Sequence, residues 1–331
     1  YCPVPLSTKE RDWVQAHVGQ PLLHADMPES VELNYPDWMQ PALRDLFGDQ
    51  LAEAMVALNA EATVDLRVNT LKATRQQVMA ALSHQEMKPV PTPFAAEGVR
   101  LKKRGALIAM QAYRDGWFEI QDEGSQLVAH LVRAQPGEIG IDFCAGAGGK
   151  TLALSAHMKN RGRILAWDIA AARLKQMTPR LARAGVSNVQ TRLLKSEWDS
   201  SLVKHAVSAD WVLLDVPCSG TGMWRRSPDL KRRTSLQDLE KVAEQQRQIA
   251  DSAARLVKPG GRLVYATCSI LRQENEDQVD RFLTSHPEFS AQPVNLPTAK
   301  DKSAPYLRLF PHQHETDGFF GAVLVKVKST V

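Results

Sequence analysis

Two cysteines stand where covalent chemistry would need them. Cys218 lies in Leu214-Asp215-Val216-Pro217-Cys218-Ser219, and Cys268 lies in Tyr265-Ala266-Thr267-Cys268-Ser269. Each follows a short apolar run that reads as a buried parallel strand, and each falls where that strand should end. Open α/β sheets bind ligands beyond the carboxyl ends of their strands, so both thiols are expected to face one cleft. A free cysteine is often only a packing residue. A pair at adjacent strand ends, with Asp215 three residues before one of them, suits addition to a base ring. Carbon 5 of cytosine is a poor nucleophile. Attack by a thiolate on carbon 6 makes it enamine-like and able to take a methyl group; a base then removes the hydrogen on carbon 5 and the thiol is eliminated. The scheme needs a thiolate, an acid near ring nitrogen 3 and a base, and Asp215, Cys218 and Cys268 are groups of these kinds.

A second constellation precedes them. Asp142-Phe143-Cys144-Ala145-Gly146-Ala147-Gly148-Gly149-Lys150-Thr151 follows an apolar strand and opens a helix. Glycine lets a backbone turn tightly and approach a ligand closely. A phosphate-cradling P-loop would need glycine where Cys144 stands. A dinucleotide fingerprint would need glycine where Thr151 stands. What fits is an S-adenosylmethionine loop: Asp142, then small residues at alternate positions (Cys144, Gly146, Gly148). Asp168, twenty residues past Gly148, closes Ile164-Leu165-Ala166-Trp167-Asp168 and is expected to accept from ribose hydroxyls. The competing role for Asp168 is a cap for the helix that follows. Enzymes that methylate amino groups usually end the fourth strand in Asp/Asn-Pro-Pro-Tyr/Phe. Here a thiol replaces the aromatic ring, which points away from nitrogen.

The elements that must position these groups alternate. Strands are expected at Ile139–Phe143, Arg163–Asp168, Val189–Leu194, Trp211–Asp215 and Arg262–Thr267. Helices fall between, the longest near Leu236–Val257 and ended by Lys258-Pro259-Gly260-Gly261. Gly321–Val327 is expected to add a last strand, antiparallel in one reading. Strand–helix alternation implies a doubly wound, mainly parallel, Rossmann-like α/β sheet over residues 121–331. Before it, residues 61–120 read as a small α+β module: strands near Thr63–Val68, 98–102 and 117–120, and a helix capped by Thr74. Residues 1–60 read as an extended lead-in to position 33, then one helix from Pro41 to about Asn59 with Leu46, Leu51, Met55 and Leu58 on one face.

Composition bounds the class. The chain has 331 residues, 44% hydrophobic and 24% charged, with a net charge of +4, as expected of a globular protein with room for two units. No apolar run is long enough to span a membrane. The start, Tyr1-Cys2-Pro3-Val4-Pro5, is not a signal peptide and has no initiator methionine, so a fragment or processed product is expected. Cys2, Cys144, Cys218 and Cys268 form no Cys-x-x-Cys pair, which argues for the reducing cytoplasm and against a bound metal. A monomer without membrane or metal partners is expected.

Beyond single residues, the chain resembles the Sun/Nop family of RNA cytosine-carbon-5 methyltransferases. The resemblance runs from about Tyr35 to Lys328. It rests on Arg67-Val68-Asn69-Thr70, Gln121-Asp122-Glu123-Gly124-Ser125, Cys144 to Thr151, Asp215 to Gly222, Thr267-Cys268-Ser269 and Asp317-Gly318-Phe319-Phe320. It implies S-adenosylmethionine as cofactor, with Cys144, Ala145, Gly146, Ala147, Gly148, Gly149, Lys150, Asp168 and Asp215 around it. Cys268 would be the nucleophile, Cys218 would assist release, and Asp215 would touch both cofactor and base. It also implies an RNA partner, 16S rRNA first, and an RNA-binding role for the small module. A tRNA cytosine methyltransferase would share every catalytic residue, and a non-catalytic RNA-binding assembly factor is the reading from another class. Three departures stand out. Gly146-Ala147 replaces the family's usual Ala-Pro. Leu193-Leu194-Lys195-Ser196-Glu197 lacks the usual third-strand aspartate, leaving Glu197 as the candidate substitute. The helical RNA-binding domain often found at the N-terminus is not in this chain.

The basic segment after Cys218 completes the expectations. Trp224, Arg225, Arg226, Lys231, Arg232 and Arg233 have the types that stack on bases and neutralise phosphates. Their competing reading is a solvated helix start. Lys102-Lys103-Arg104 forms a second basic tip on the small module.

Overall fold

The structure, a computed structural model, describes residues 5–21, 26–294 and 304–328; Cys2 and part of the N-terminal lead-in lie outside them. Apolar, β-branched runs form the centre of an eight-stranded sheet. Its strands are β5 (Ile139–Asp142), β6 (Arg163–Asp168), β7 (Val189–Leu193), β8 (Ala209–Asp215), β9 (Val257–Thr267), β10 (Phe289–Gln292), β11 (Leu307–Leu309) and β12 (Phe319–Lys326). The order is β10-β12-β9-β8-β5-β6-β7, with β11 on β12. β5 to β9 are parallel, and β12 runs antiparallel to β9, pairing Phe320 with Thr267.

The chain leaves β5 in one direction through β6 and β7, then returns to β8 on the other side of β5. That reversal opens a crevice between β5 and β8 at their carboxyl ends. Helices cover both faces. Ile249, Ala253, Val279 and Phe282 pack on Ile141, Leu165, Leu214 and Leu263. Leu127, Leu131, Leu154 and Met158 pack on Ile164, Trp211, Leu213 and Val264 on the opposite side. Strands buried on both faces read as continuous apolar runs, which is why they are legible in sequence.

The smaller sheet, β2-β3-β1-β4, is antiparallel: β1 Val64–Val68, β2 Pro89–Pro91, β3 Gly98–Leu101 and β4 Phe118–Ile120. Leu66 and Val68 point into its own core. The alternate residues of β1 turn to the larger unit instead. Asp65 pairs with Arg100 of the same sheet at 2.7 Å and also accepts from Glu123 N of the larger unit at 3.2 Å. Arg67 Nη1 donates to the Gly149 carbonyl at 2.6 Å, and Asn69 Nδ2 donates to the Ala184 carbonyl at 2.9 Å. The Arg67-Val68-Asn69-Thr70 segment therefore joins the small sheet to the glycine loop's helix.

Three local expectations are corrected. Within the expected extended lead-in, Thr8–His17 is a helix whose Ser7 and Glu10 form a capping box; the Ser-x-x-Glu signal was there to read. The single helix over 41–59 is broken at Gly48 (φ +50) into Gln40–Phe47 and Leu51–Asn59, and both pieces pack on Trp224, Leu239 and Ile270. The long helix ends at Ala254, and Lys258-Pro259-Gly260-Gly261 lies inside β9.

Candidate active site

The β5–β8 crevice holds a cleft of 680 Å³ whose walls include the glycine loop, Asp168, Leu194, Glu197, Asp215, Cys218 and Cys268. A second cavity of 410 Å³ adjoins it, between the small sheet (Val64, Asp65, Ile120) and Phe319, Asp317 and Arg226. Lys150, Asp215 and Cys268 border both. The larger cleft has nucleoside dimensions, and the smaller one is reached from the junction of the two units.

The glycine loop is built as a cradle. Gly148 takes φ +85, and a Cβ there would stand 2.6 Å from Met177 Cγ, so only glycine fits. Gly146 takes φ +55, and a Cβ there would meet nothing nearer than Arg173 Cδ at 4.0 Å; its missing side chain leaves open space where a ligand can lie. Asp168 Oδ2 accepts from Gly146 N at 2.8 Å and Oδ1 from Ala170 N at 2.7 Å. The helix Ala171–Ala184 has Ala170 as its N-cap and no side-chain cap, so Asp168 braces the turn before that helix rather than capping it, while still facing the cleft. Behind the loop, burial pushes the Asp142 carboxyl up to about 7 despite the Thr151 hydroxyl that donates to it. Burial likewise raises the Cys144 thiol, foremost among causes that include three nearby carboxylates. Cys144 also lines the cleft.

The two thiols meet. Cys218 Sγ and Cys268 Sγ are 3.2 Å apart, both free. The hydrogen bond to Cys268, then burial, raises Cys218 well above the ordinary thiol range, and either sulfur can be the donor of the bond between them. Lys150 Nζ lies 2.7 Å from Asp215 Oδ2, largely buried, at the border of the two cavities. Lys150, expected only as part of the cofactor loop, therefore also faces the second cavity.

The loops carrying the cysteines are pinned by residues the sequence reading missed. Glu274, fully buried, accepts from Ser219 N at 2.8 Å and from Gln246 Nε2 at 3.1 Å. Asn275 Nδ2 donates to Ser269 O at 2.9 Å, and its Oδ1 accepts from Thr267 Oγ1 at 2.6 Å. Their signal was proximity: a buried carboxylate and amide six and seven residues after Cys268. Gly222 N donates to Cys268 O at 2.9 Å, and a Cβ on Gly222 would fall 2.3 Å from Gly318 O. The Asp317-Gly318-Phe319-Phe320 segment thus closes on the Cys218 loop.

The basic segment is not one exposed patch, and this corrects half of it. Trp224 is 1% exposed, in the core with Leu239 and Ile270. Lys231 is buried, its Nζ bonded to Asn59 and lying over the Trp224 ring; burial lowers it to about 8. The Arg225 side chain is 4% exposed and binds Asp317, itself 0% exposed, at 2.6 Å. Arg226 pairs with Asp317 and with Asp122 at 2.9 Å. Burial first, then the Asp317 charge, raises Asp122 to about 6. Arg232 and Arg233 remain at the surface. At the other basic tip, Lys103 and Arg104 are exposed but paired with Glu86 and Glu61.

Residues 129–325 match the family described as 16S rRNA methyltransferase RsmB/F, and residues 35–107 match the RsmF/B-like ferredoxin-like domain. The chain belongs to the RsmB/F methyltransferase family. It is 33% identical over 299 residues to ribosomal RNA small subunit methyltransferase B of Vibrio cholerae, covering 88% of this chain and 65% of that one. With the protein of the same name from Sodalis glossinidius it shares 32% over 311 residues, covering 93% and 69%. The chain thus spans about two thirds of the length of these RsmB relatives. A solved methyltransferase homolog from Pyrococcus horikoshii superposes with a TM-score of 0.79 at 27% identity, covering 92% of this chain and all of that one. The Sun/Nop resemblance and the Rossmann-like fold are therefore established. Among the described residues, no helix is long and apolar enough to cross a membrane.

Proposed function

We propose that this RsmB/F chain is an S-adenosylmethionine-dependent enzyme that forms 5-methylcytosine in small-subunit ribosomal RNA. The observation that carries the reading is the thiol pair, 3.2 Å apart, where a nucleoside-sized cleft meets a second cavity. The open cradle at Gly146 and the Asp168 carboxylate fit the ribose and amino-acid parts of the cofactor, and Glu197 replaces the third-strand aspartate near the adenine. Bound there, S-adenosylmethionine would supply an activated methyl group.

The chain's own residues do the rest. A cytosine extruded from RNA would enter the second cavity, beside Phe319 and the small module of residues 61–120. Cys268 gives up its proton to solvent, and a hydrogen bond from the Cys218 thiol favours the thiolate that remains. Cys268 Sγ then bonds to carbon 6 of the base. Charge builds along the N3–O2 edge, where Lys150 and Asp215 together supply a proton donor and a positioned carboxylate. Once carbon 5 carries the methyl group, it must lose its proton. That electron pair restores the ring double bond and expels the Cys268 sulfur. Cys218, beside the leaving sulfur, is assigned to this release: it takes the carbon-5 proton as it passes its own to the departing Cys268 sulfur, so both thiols end protonated, and the proton at the N3 edge returns to its donor.

The two cysteines should therefore fail differently. Cys268→Ala should abolish turnover and give no adduct. Cys218→Ala should accumulate a covalent protein–RNA complex that survives denaturing gels, and Cys218→Ala/Cys268→Ala should lose it. A trap that appears on loss of Cys268 would exchange the roles. No complex from either variant, with RNA and cofactor still bound, would support a non-catalytic RNA-binding factor. Mapping 5-methylcytosine in total RNA from cells with and without the gene decides between rRNA and tRNA.

A further inference from the structure

Outside the lining of both cavities, Glu97, His130 and His157 converge from three separate elements. Glu97 sits in the turn before β3, where its carbonyl accepts from Val68 N at 3.0 Å. His130 lies in the last turn of the helix Glu123–Leu131, and His157 ends the helix Gly149–His157. Glu97 Oε1 is 3.0 Å from His157 Nε2 and 3.0 Å from His130 Nε2. The ring centroids are 4.7 Å apart, and the three ligand atoms all lie within 4.8 Å of one another.

We propose that this triad is a zinc site that clips the small sheet to the two helices under the main sheet. Two imidazoles and one carboxylate are a donor set zinc accepts, leaving a fourth position for water. Bonds of about 2.0–2.2 Å to a tetrahedral ion place two ligands about 3.3–3.6 Å apart, so the observed 3.0 Å separations from Glu97 to each histidine must open by a few tenths of an ångström. His130 Nε2 supplies a second observation. It is buried, yet it makes no hydrogen bond of acceptable angle, even with Glu97 at 3.0 Å. An N–H there is poorly used, whereas a lone pair with the proton moved to Nδ1 would have a partner in the ion. The carboxyl ends of two nine-residue helices also converge here, and their partial negative charge favours a cation. The groups are partly open, with side-chain exposures of 11%, 28% and 20% for Glu97, His130 and His157, so an ion can enter.

The test uses the full chain stripped with a chelator, then titrated with Zn²⁺ by calorimetry and with Co²⁺ by absorption. Because Cys218 and Cys268 can also take zinc, each titration is repeated on Cys218→Ser/Cys268→Ser. The expected result is one Zn²⁺ that survives in the Cys218→Ser/Cys268→Ser chain, a Co²⁺ spectrum there with visible ligand-field bands, and a higher melting temperature with Zn²⁺. Glu97→Gln and His157→Ala should each weaken Zn²⁺ by about tenfold or more, since even outer-sphere changes cost about 10–100-fold. The Co²⁺ spectrum of the parent chain keeps the test independent of whether those variants fold. Absence of Zn²⁺ binding in the Cys218→Ser/Cys268→Ser chain, or affinity unchanged in both Glu97→Gln and His157→Ala, would overturn the site and leave a hydrogen-bonded Glu–His–His clasp.

Discussion

Replacing Arg225 by alanine should unfold the protein more readily and leave its response to salt in RNA binding unchanged. By charge alone Arg225 is a phosphate ligand. In the fold its Nε lies 2.6 Å from Asp317 Oδ1, and its Nη2 lies 3.0 Å from the Glu315 carbonyl and 3.5 Å from Asp122. Asp317 is 0% exposed and Asp122 6% by side chain. Removing the guanidinium leaves two buried carboxylates facing each other with Arg226 as their remaining arginine. Losing one partner of a buried ion pair costs about 3–5 kcal/mol, whereas exposed pairs contribute about 0–1 kcal/mol. Arg233, 76% exposed and paired with a half-exposed Asp229, is the control. Urea unfolding followed by fluorescence and circular dichroism should show a much lower midpoint for Arg225→Ala at similar slope, and almost no shift for Arg233→Ala. Because Asp122 and Asp317 would then repel with only Arg226 between them, the Arg225→Ala deficit should shrink as pH falls through Asp122's titration near 6. A midpoint shift no larger than that of Arg233→Ala, together with a flattened salt dependence of RNA binding, would refute the burial argument and restore Arg225 to the RNA surface.

Neutralising the exposed Arg232 and Arg233 should instead flatten the log–log salt dependence of RNA affinity by about 0.7–0.9 for each phosphate left without its cation, read by fluorescence anisotropy across a salt series. Asp168→Ala removes the acceptor for Gly146 and Ala170 N–H groups and the expected ribose acceptor together. S-adenosylmethionine affinity measured by calorimetry should fall about tenfold or more, because hydrogen bonds to charged groups contribute about 1.5–3 kcal/mol each. Asp142 titrates at about 7 in the fold against 3.8 as the ordinary value. A carboxyl raised in the folded state contributes stability that is present below about pH 4 and lost as pH rises through 7. The loss should be up to about 4 kcal/mol, and Asp142→Asn should show a flatter stability profile over that window by urea titration.

How much of this was legible follows from the range of the interactions involved. The central parallel strands β6 and β8 could be read because they are buried on both faces and apolar along nearly their whole length, whereas the edge strand β7 is largely exposed. The positions of Cys218, Cys268 and the glycine loop followed from that, since strand ends carry the site in such sheets. The Ser7–Glu10 cap is equally local, but the helix it opens buries no residue and so carries no apolar period. The break at Gly48 is harder to see: Leu46, Leu51, Met55 and Leu58 suit one helix nearly as well as two short ones, and packing against Trp224 and Ile270 makes the choice.

What the sequence by itself determined was the sheet, the order of its strands along the chain and the residue types at their carboxyl ends, because these depend on neighbours within a few positions. Only the tertiary structure decided what each charged group faces. Arg225 finds Asp317 92 residues away, Lys150 finds Asp215 at 65, and Glu97 finds His157 at 60. A guanidinium carries the same charge whether its partner is a phosphate or a buried carboxylate. The difference is burial, which is set by the strand order β8-β5-β6 and the docking of the small sheet through Arg67 and Asn69, and no local pattern encodes it.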